Sequence, residues 1–199
     1  MLKVALTGGI ATGKSHVVAE LRRRGIPCVD ADELAHGVMT PGSEATIAIA
    51  ERFGTGVLDV HGAVDRKALG AIVFADPLAR RELEAITHPA VYRAITAAMR
   101  AFALLGGADM VVVDIPLLFE GGRAPEFDRV VATVCSEPIQ RERLSARGLS
   151  ASEIDLRLAA QLSAAEKAAR ADHVIDTSGT YEQTGAQVDE LLKVLRQSR

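Results

Sequence analysis

Asparagine and tryptophan do not occur in this 199-residue chain, cysteine occurs twice, and aromatic residues make up 4 %. Without asparagine there is no Asn-Lys-x-Asp loop of the kind that reads guanine in nucleotide switches. So few aromatics leave no stacking platform for single-stranded nucleic acid. A net charge of −3 gives no basic surplus for a nucleic-acid partner, so any anion binding must be local. No apolar run approaches the length of a membrane span. Leu2 enters a strand-like run directly, without a basic region and an apolar signal segment before it, and a cytoplasmic protein is expected. Cys28 and Cys135 sit inside apolar runs and are expected to be buried, reduced thiols, not a disulfide or metal ligands. His16, His36, His61 and His173 lack metal-ligand spacing. Internal repeats and low-complexity tracts are absent, and no obligate protein partner is evident.

The most informative stretch present is Leu2 to Ser15. Leu2–Thr7 reads as a short buried strand, and Gly8-Gly9-Ile10-Ala11-Thr12-Gly13-Lys14-Ser15 fits the phosphate-loop pattern G-x-x-x-x-G-K-[ST]. Val17, Val18 and Leu21 then follow the spacing of an amphipathic helix. The motif therefore lies between a strand and a helix start, where its mechanism requires it. Glycine lets the backbone curl so that successive amides point at phosphate oxygens, and the helix dipole adds to the attraction. Gly8, Gly9, Ala11, Thr12, Gly13, Lys14, Ser15 and His16 are the candidate ATP-binding residues. Lys14 is suited to the β- and γ-phosphates and the Ser15 hydroxyl to Mg²⁺.

Strand-like runs recur at Cys28–Asp30, Met110–Ile115, Arg129–Cys135 and His173–Asp176. Several are continuous Val, Ile and Ala, the mark of strands buried on both faces in a parallel sheet. Helical patterns fill Gly13–Arg24, Ala45–Phe53, Arg66–Phe74, Pro77–Ile86, Pro89–Leu105, Pro138–Arg147, Ala151–Arg170 and Tyr181–Arg196. The fold class expected is α/β, a five-stranded parallel sheet flanked by helices. The long interval from Asp32 to Leu105 far exceeds a simple crossover and predicts a helical insertion of the kind that holds a second substrate. Its turns are marked by Pro41-Gly42, Gly54–Gly56, His61-Gly62 and Asp76-Pro77.

Phosphoryl transfer to a small molecule needs a carboxylate near the acceptor hydroxyl and cations that close on the phosphates. Asp30-Ala31-Asp32 ends the second strand, the end at which open α/β sheets bind ligands. One of the two carboxylates serves an acceptor hydroxyl, or one of them caps the helix Glu33–Met39. Asp114 closes the third strand, either to hold a metal-bound water beside Ser15 or as a turn residue. Arg143 and Arg147 share a helical face, which suits a lid over phosphates or a solvated helix. Arg157 and Gln161 repeat that spacing. Arg22-Arg23-Arg24 reads as a solvated last turn that complements the helix dipole. His88-Pro89 reads as an N-cap followed by Pro in the first helical position.

Taken in order, these segments resemble the dephospho-CoA kinase family over nearly the whole chain. The resemblance rests on Leu6-Thr7-Gly8-Gly9-Ile10-x-x-Gly13-Lys14-Ser15, Asp30-Ala31-Asp32, Asp65-Arg66-x-x-Leu69 with Ile72 and Phe74, and His88-Pro89. It continues through Pro116-Leu117-Leu118-Phe119-Glu120, Arg157-x-x-x-Gln161 and Ala171-Asp172-His173-Val174-Ile175-Asp176. It implies ATP-dependent phosphorylation of the ribose 3′-hydroxyl of dephospho-CoA, the last step of coenzyme A synthesis. It further implies a single phosphate-loop kinase domain over 1–199, with a CoA-binding helical part at about 32–105 and a lid at about 137–160. Lys14, Asp32 and Arg143 would be catalytic, and Asp32, His88 and Leu117 would meet the substrate. The family often carries Asn shortly after the last-strand Asp, where this chain has Asp176-Thr177-Ser178-Gly179; His16 replaces a commoner Thr. The alternatives are another small-molecule or nucleoside kinase of this class, or an ATP-dependent regulator without an acceptor.

Overall fold

The computed structural model describes residues 1–197. Its strands are β1 (Leu2–Gly8), β2 (Cys28–Asp30), β3 (Met110–Asp114), β4 (Arg129–Val134) and β5 (His173–Asp176). Its helices are α1 (Lys14–Arg23), α2 (Ala31–Gly37), α3 (Glu44–Phe53), α4 (Arg66–Ala75) and α5 (Pro77–Leu105), then α6 (Glu137–Ser145), α7 (Ala151–Ala159), α8 (Ala164–Arg170) and α9 (Tyr181–Gln197). The chain divides into two units, Met1–Val29 together with the segment from Phe102 onward, and Asp30–Ala101.

In the first unit the strand order is β2-β3-β1-β4-β5, a parallel sheet with β1 at its centre. β1 pairs with β3 from Leu2↔Met110 to Leu6↔Asp114, and with β4 from Val4↔Arg129 to Gly8↔Thr133. This register brings the ends of β1, β3 and β4 to one edge, so the phosphate loop leaves the middle of that edge. Every residue of β3 is buried, which explains its unbroken Met-Val-Val-Val run. On one face, Val4, Leu6, Val112 and Val131 pack with Val17, Val18 and Leu21 of α1 and Val188, Leu191, Leu192 and Leu195 of α9. Each such side chain gains about 1.5–3 kcal/mol from burial. A second cluster, Ala11, Leu144 and Ile154, seats α6 and α7 beside the loop.

The second unit is helical. Ile49, Val57, Val64 and Leu69 form its core, with Phe53, Leu83 and Ile86 packed against them. Its turns fall at the expected glycines: Gly42, Gly54 and Gly62 have φ of 73°, 84° and 77°. Asp65 caps α4 by accepting from the amides of Lys67 and Ala68 at 2.9 and 3.1 Å.

Two helix boundaries differ from expectation. Pro89 lies inside a single helix, α5, so His88-Pro89 is not an N-cap and first turn. Interior Pro costs about 3 kcal/mol. Buried anchors on both sides, Ala79 before it and Val91 and Ile95 after it, favour continuation, and Thr87 Oγ1 donates to the Leu83 carbonyl at 2.9 Å. Conversely, the predicted helix Ala151–Arg170 is two helices, because Ser163 starts a new one with a capping box to Glu166.

Candidate functional site

The phosphate loop curls because two positions adopt left-handed backbone. Gly13 has φ 77°, and Ala11, at φ 60°, is the non-glycine residue with positive φ among the described residues. A left-handed non-glycine residue costs about 1–2 kcal/mol and persists where surrounding contacts enforce it. Those contacts fall on the loop carbonyls. Gly9 O accepts from Thr12 Oγ1 at 2.7 Å, Ile10 O from Gln140 Nε2 at 2.6 Å, Ala11 O from Arg143 Nη1 at 3.1 Å and Thr12 O from Thr177 Oγ1 at 2.9 Å. The carbonyls are thus held by side chains, while the first-turn amides of Lys14 and Ser15 have no intrahelical acceptor. That is the polarity an anion cradle needs.

The loop also admits no side chain at its tight points. A Cβ at Gly8 would strike Thr133 Oγ1 and come within 2.6 Å of Thr12 Oγ1. One at Gly13 would lie 2.9–3.1 Å from three atoms of the Thr177 side chain. The cradle therefore fits a phosphate group, as the motif requires.

Lys14 Nζ donates to Asp114 Oδ1, with both side chains largely buried. Asp114 is thus the partner of the loop lysine, not merely a turn residue. Ser15 is exposed at the head of α1. Its hydroxyl and the Asp114 carboxylate are hard oxygen donors of the type Mg²⁺ takes, and the remaining ligands of such an ion come from phosphates and water. Groups of three or more His, Cys, Asp or Glu side chains placed to hold a metal are absent among the described residues.

Arg143 is engaged by protein groups. Its Nη1 donates to Ala11 O and Thr177 Oγ1 at 3.1 Å each, and its Nη2 to Thr177 O at 2.6 Å. α6 ends at Ser145, so Arg147 lies in the turn that follows, exposed and not on a shared helical face, and the expected pair of clamping guanidiniums resolves into one buttress and one solvated residue. His16 packs at a tilt against Tyr181, centroids 4.5 Å apart, with Nε2 3.9 Å from Glu20 Oε1. Arg24 corrects the expectation of a solvated last turn: it bonds Glu20 at 2.5 Å, Asp189 at 2.6 Å and Gly185 O at 3.0 Å, tying α1 to α9.

Asp30 is the N-cap of α2, accepting from the amides of Asp32 and Glu33 at 2.8 and 3.1 Å. Its carboxylate is therefore committed to structure, whereas Asp32 is exposed in the first turn. Leu117 is 47 % exposed, and His88 is exposed, its ring tilted against that of Tyr92 with centroids 5.4 Å apart. Gln161, singled out by its spacing from Arg157, accepts from the Ile10 amide at 3.2 Å; Arg157 itself is exposed.

Burial pushes the Cys28 thiol up to about 11 and raises Cys135 as well. Both cysteines are free thiols; Cys135 is buried as expected, Cys28 is only half-buried, and neither is activated as a nucleophile. Gln140, Thr177 and Lys167 carry loop contacts that sequence reasoning missed. Each lies more than a hundred residues from its loop partner, and no short pattern announces it.

A phosphate cradle at the carboxyl edge of a parallel sheet, with a buried Lys–Asp pair behind it, defines a phosphate-loop kinase. The model of the CoaE family, described as dephospho-CoA kinase, matches residues 2–183. A dephospho-CoA kinase of Anaeromyxobacter dehalogenans is 51 % identical over 200 residues, covering 100 % of this chain and 94 % of that one. A crystal structure of a Thermus thermophilus protein aligns with TM-score 0.83 and 32 % identity, covering 98 % of this chain and 97 % of that one. The dephospho-CoA kinase of Campylobacter jejuni aligns with TM-score 0.74 and 26 % identity, covering 98 % of each chain. The chain belongs to the dephospho-CoA kinase family. It is an enzyme that phosphorylates dephospho-CoA in coenzyme A biosynthesis.

Proposed function

We propose that the chain transfers the γ-phosphoryl of ATP to the ribose 3′-hydroxyl of dephospho-CoA. The observation that carries this is the loop in which the carbonyls of Gly9, Ile10, Ala11 and Thr12 are all held by side chains, beside a lysine with a buried carboxylate partner. Gly8, Gly9, Ala11, Thr12, Gly13, Ser15 and His16 line the triphosphate. Lys14 exchanges Asp114 for phosphate oxygens and stabilises charge that develops during transfer. Ser15 and Asp114 would hold Mg²⁺, which neutralises phosphate charge when bound. Arg143 fixes the loop's outer wall and sets its cationic field beside the phosphates.

Asp32 accepts the proton of the acceptor hydroxyl or orients it, since Asp30 is occupied as a cap. His88 and Leu117 contact the substrate. The helical segment at about 32–105 is the CoA-binding part and the segment at about 137–160 the lid. The free thiols of Cys28 and Cys135 accord with a reducing compartment, and the reading places the enzyme in the cytoplasm. Among the described residues no helix is long and apolar enough to cross a membrane.

The test is regiochemical. Dephospho-CoA incubated with enzyme and Mg-ATP is separated, and phosphorus–proton correlation spectra locate the new phosphate. Coupling to the ribose 3′ proton is the expected result; a phosphate at the 2′ position or elsewhere overturns the reading.

A further inference from the structure

Among the described residues Lys167 is the largest fully buried side chain, at 0 % exposure on α8, and the transfer chemistry leaves it without a role. A cation with four methylenes in a dry site is costly unless every proton finds an acceptor. Here the acceptors are specific. Nζ donates to the Pro116 carbonyl at 2.6 Å, pairs with Glu120 Oε1 at 3.0 Å and reaches the Gly8 carbonyl at 3.5 Å. Gly8 is the first loop residue, and its carbonyl completes the series from Gly8 to Thr12 in which each carbonyl is turned to a side chain.

The neighbours of Lys167 in sequence grip the same region. The Gln161 carboxamide accepts from the Ile10 amide at 3.2 Å, and the Leu162 amide donates to Glu120 Oε1 at 2.9 Å. Pro116 O also accepts from Thr7 Oγ1 at 3.1 Å. Residues 161–167 thus form a strap with two attachments to the phosphate loop and three to the turn after β3. Burial pushes the Lys167 ammonium down and the hydrogen bond to Glu120 opposes it. Burial raises the Glu120 carboxyl, but bonds from its own amide, Lys167 and Leu162 outweigh that, and the net shift is downward.

We propose that Lys167 is a positioning residue for the kinase reaction: from beneath the phosphate loop it holds the Gly8 and Pro116 carbonyls away from the triphosphate, so that the loop presents amides to ATP. The proposal rests on the ATP site described above. A peptide flip at Gly8 would turn an oxygen toward phosphate, and a glycine opposes such a flip only weakly. The fixed ammonium supplies the missing restraint and a buried positive charge behind the cradle.

The test separates this role from a merely structural ion pair. Lys167→Met with Glu120→Gln removes both charges together, keeps the volume and leaves an acceptor for the Leu162 amide. If Lys167 only balances Glu120, the double variant has wild-type kinetics. If Lys167 positions the loop, thermal unfolding returns close to the wild-type temperature, yet KM for ATP rises about tenfold or more and kcat falls, while KM for dephospho-CoA stays within twofold. Lys167→Arg, which keeps a cation, recovers part of the ATP affinity lost in Lys167→Met. Wild-type kinetics in the double variant overturn the assignment. So does failure of every Lys167 variant to accumulate as folded protein, which marks a purely structural lysine. Absence of acceptor-dependent turnover in the wild-type enzyme, measured in parallel, refutes the ATP-site reading instead.

Discussion

Asp30 and Asp32 stand one residue apart and have different surroundings. The Asp30 carboxylate accepts two amides at the head of α2, and Asp32 keeps an exposed carboxylate. Asp32→Asn is expected to lower kcat by 10²–10⁴-fold, about the range for losing a general base, with little change in thermal unfolding. Asp30→Asn should act mainly on stability, costing about 1 kcal/mol or less because Asn also caps helices. Paired kcat and unfolding measurements decide; a catalytic collapse confined to Asp30→Asn reverses the roles. Arg143 allows a second comparison at this scale. Its two terminal nitrogens serve three acceptors on Ala11 and Thr177, which a single ammonium cannot reproduce. Arg143→Lys should reduce kcat/KM for ATP at least tenfold, whereas Arg22→Lys, on the exposed end of α1, should leave it unchanged. Equal kcat/KM values for the two variants contradict the distinction. What was legible at this scale was the loop itself, because eight contiguous residues encode it. Gln140, Lys167 and Thr177 were not, because a buried Lys on a short polar helix reads as a solvated one until long-range contacts are known.

At the scale of elements, α1 and α9 are joined by an ion-pair network of Arg24 with Glu20 and Asp189. The hydrogen bond from Arg24 is the main cause that lowers both carboxyl groups, against the desolvation of burial. A carboxyl whose folded pKa is depressed contributes stability that is present above its unfolded value and lost as pH falls through its folded value. With ordinary values of 4.5 for Glu20 and 3.8 for Asp189, the network is intact at neutral pH, and its contribution is lost as pH falls below those values through the lowered folded ones. Glu20→Gln should therefore lower the unfolding temperature at pH 7 and flatten its decline on acidification. An unfolding temperature with the wild-type pH slope contradicts this account. The strands were legible because burial on both faces leaves an uninterrupted apolar run. The helix boundaries were less so. Pro89 looks like a start, yet buried residues on either side carry α5 through it, and the Ser163 capping box divides what periodicity joins. Ser163→Ala should cost about 1 kcal/mol, measured by denaturant unfolding.

The whole molecule is an enzyme of the dephospho-CoA kinase family, and it divides into two units, Met1–Val29 with the segment from Phe102 onward, and Asp30–Ala101. The long interval between the second and third strands was readable because a crossover needs only about a dozen residues. The acceptor itself was not readable from packing or spacing; it came from the ordered set of motifs and from relatives that match along the full chain. The activity at stake is the transfer of a phosphoryl group from ATP to dephospho-CoA. The most direct measurement follows ADP release and coenzyme A formation together, with and without dephospho-CoA, in the presence of Mg-ATP. ADP and coenzyme A appearing in equal amounts, with ADP release nearly absent when the acceptor is withheld, is the predicted result. ADP release at the same rate with and without dephospho-CoA would contradict the account.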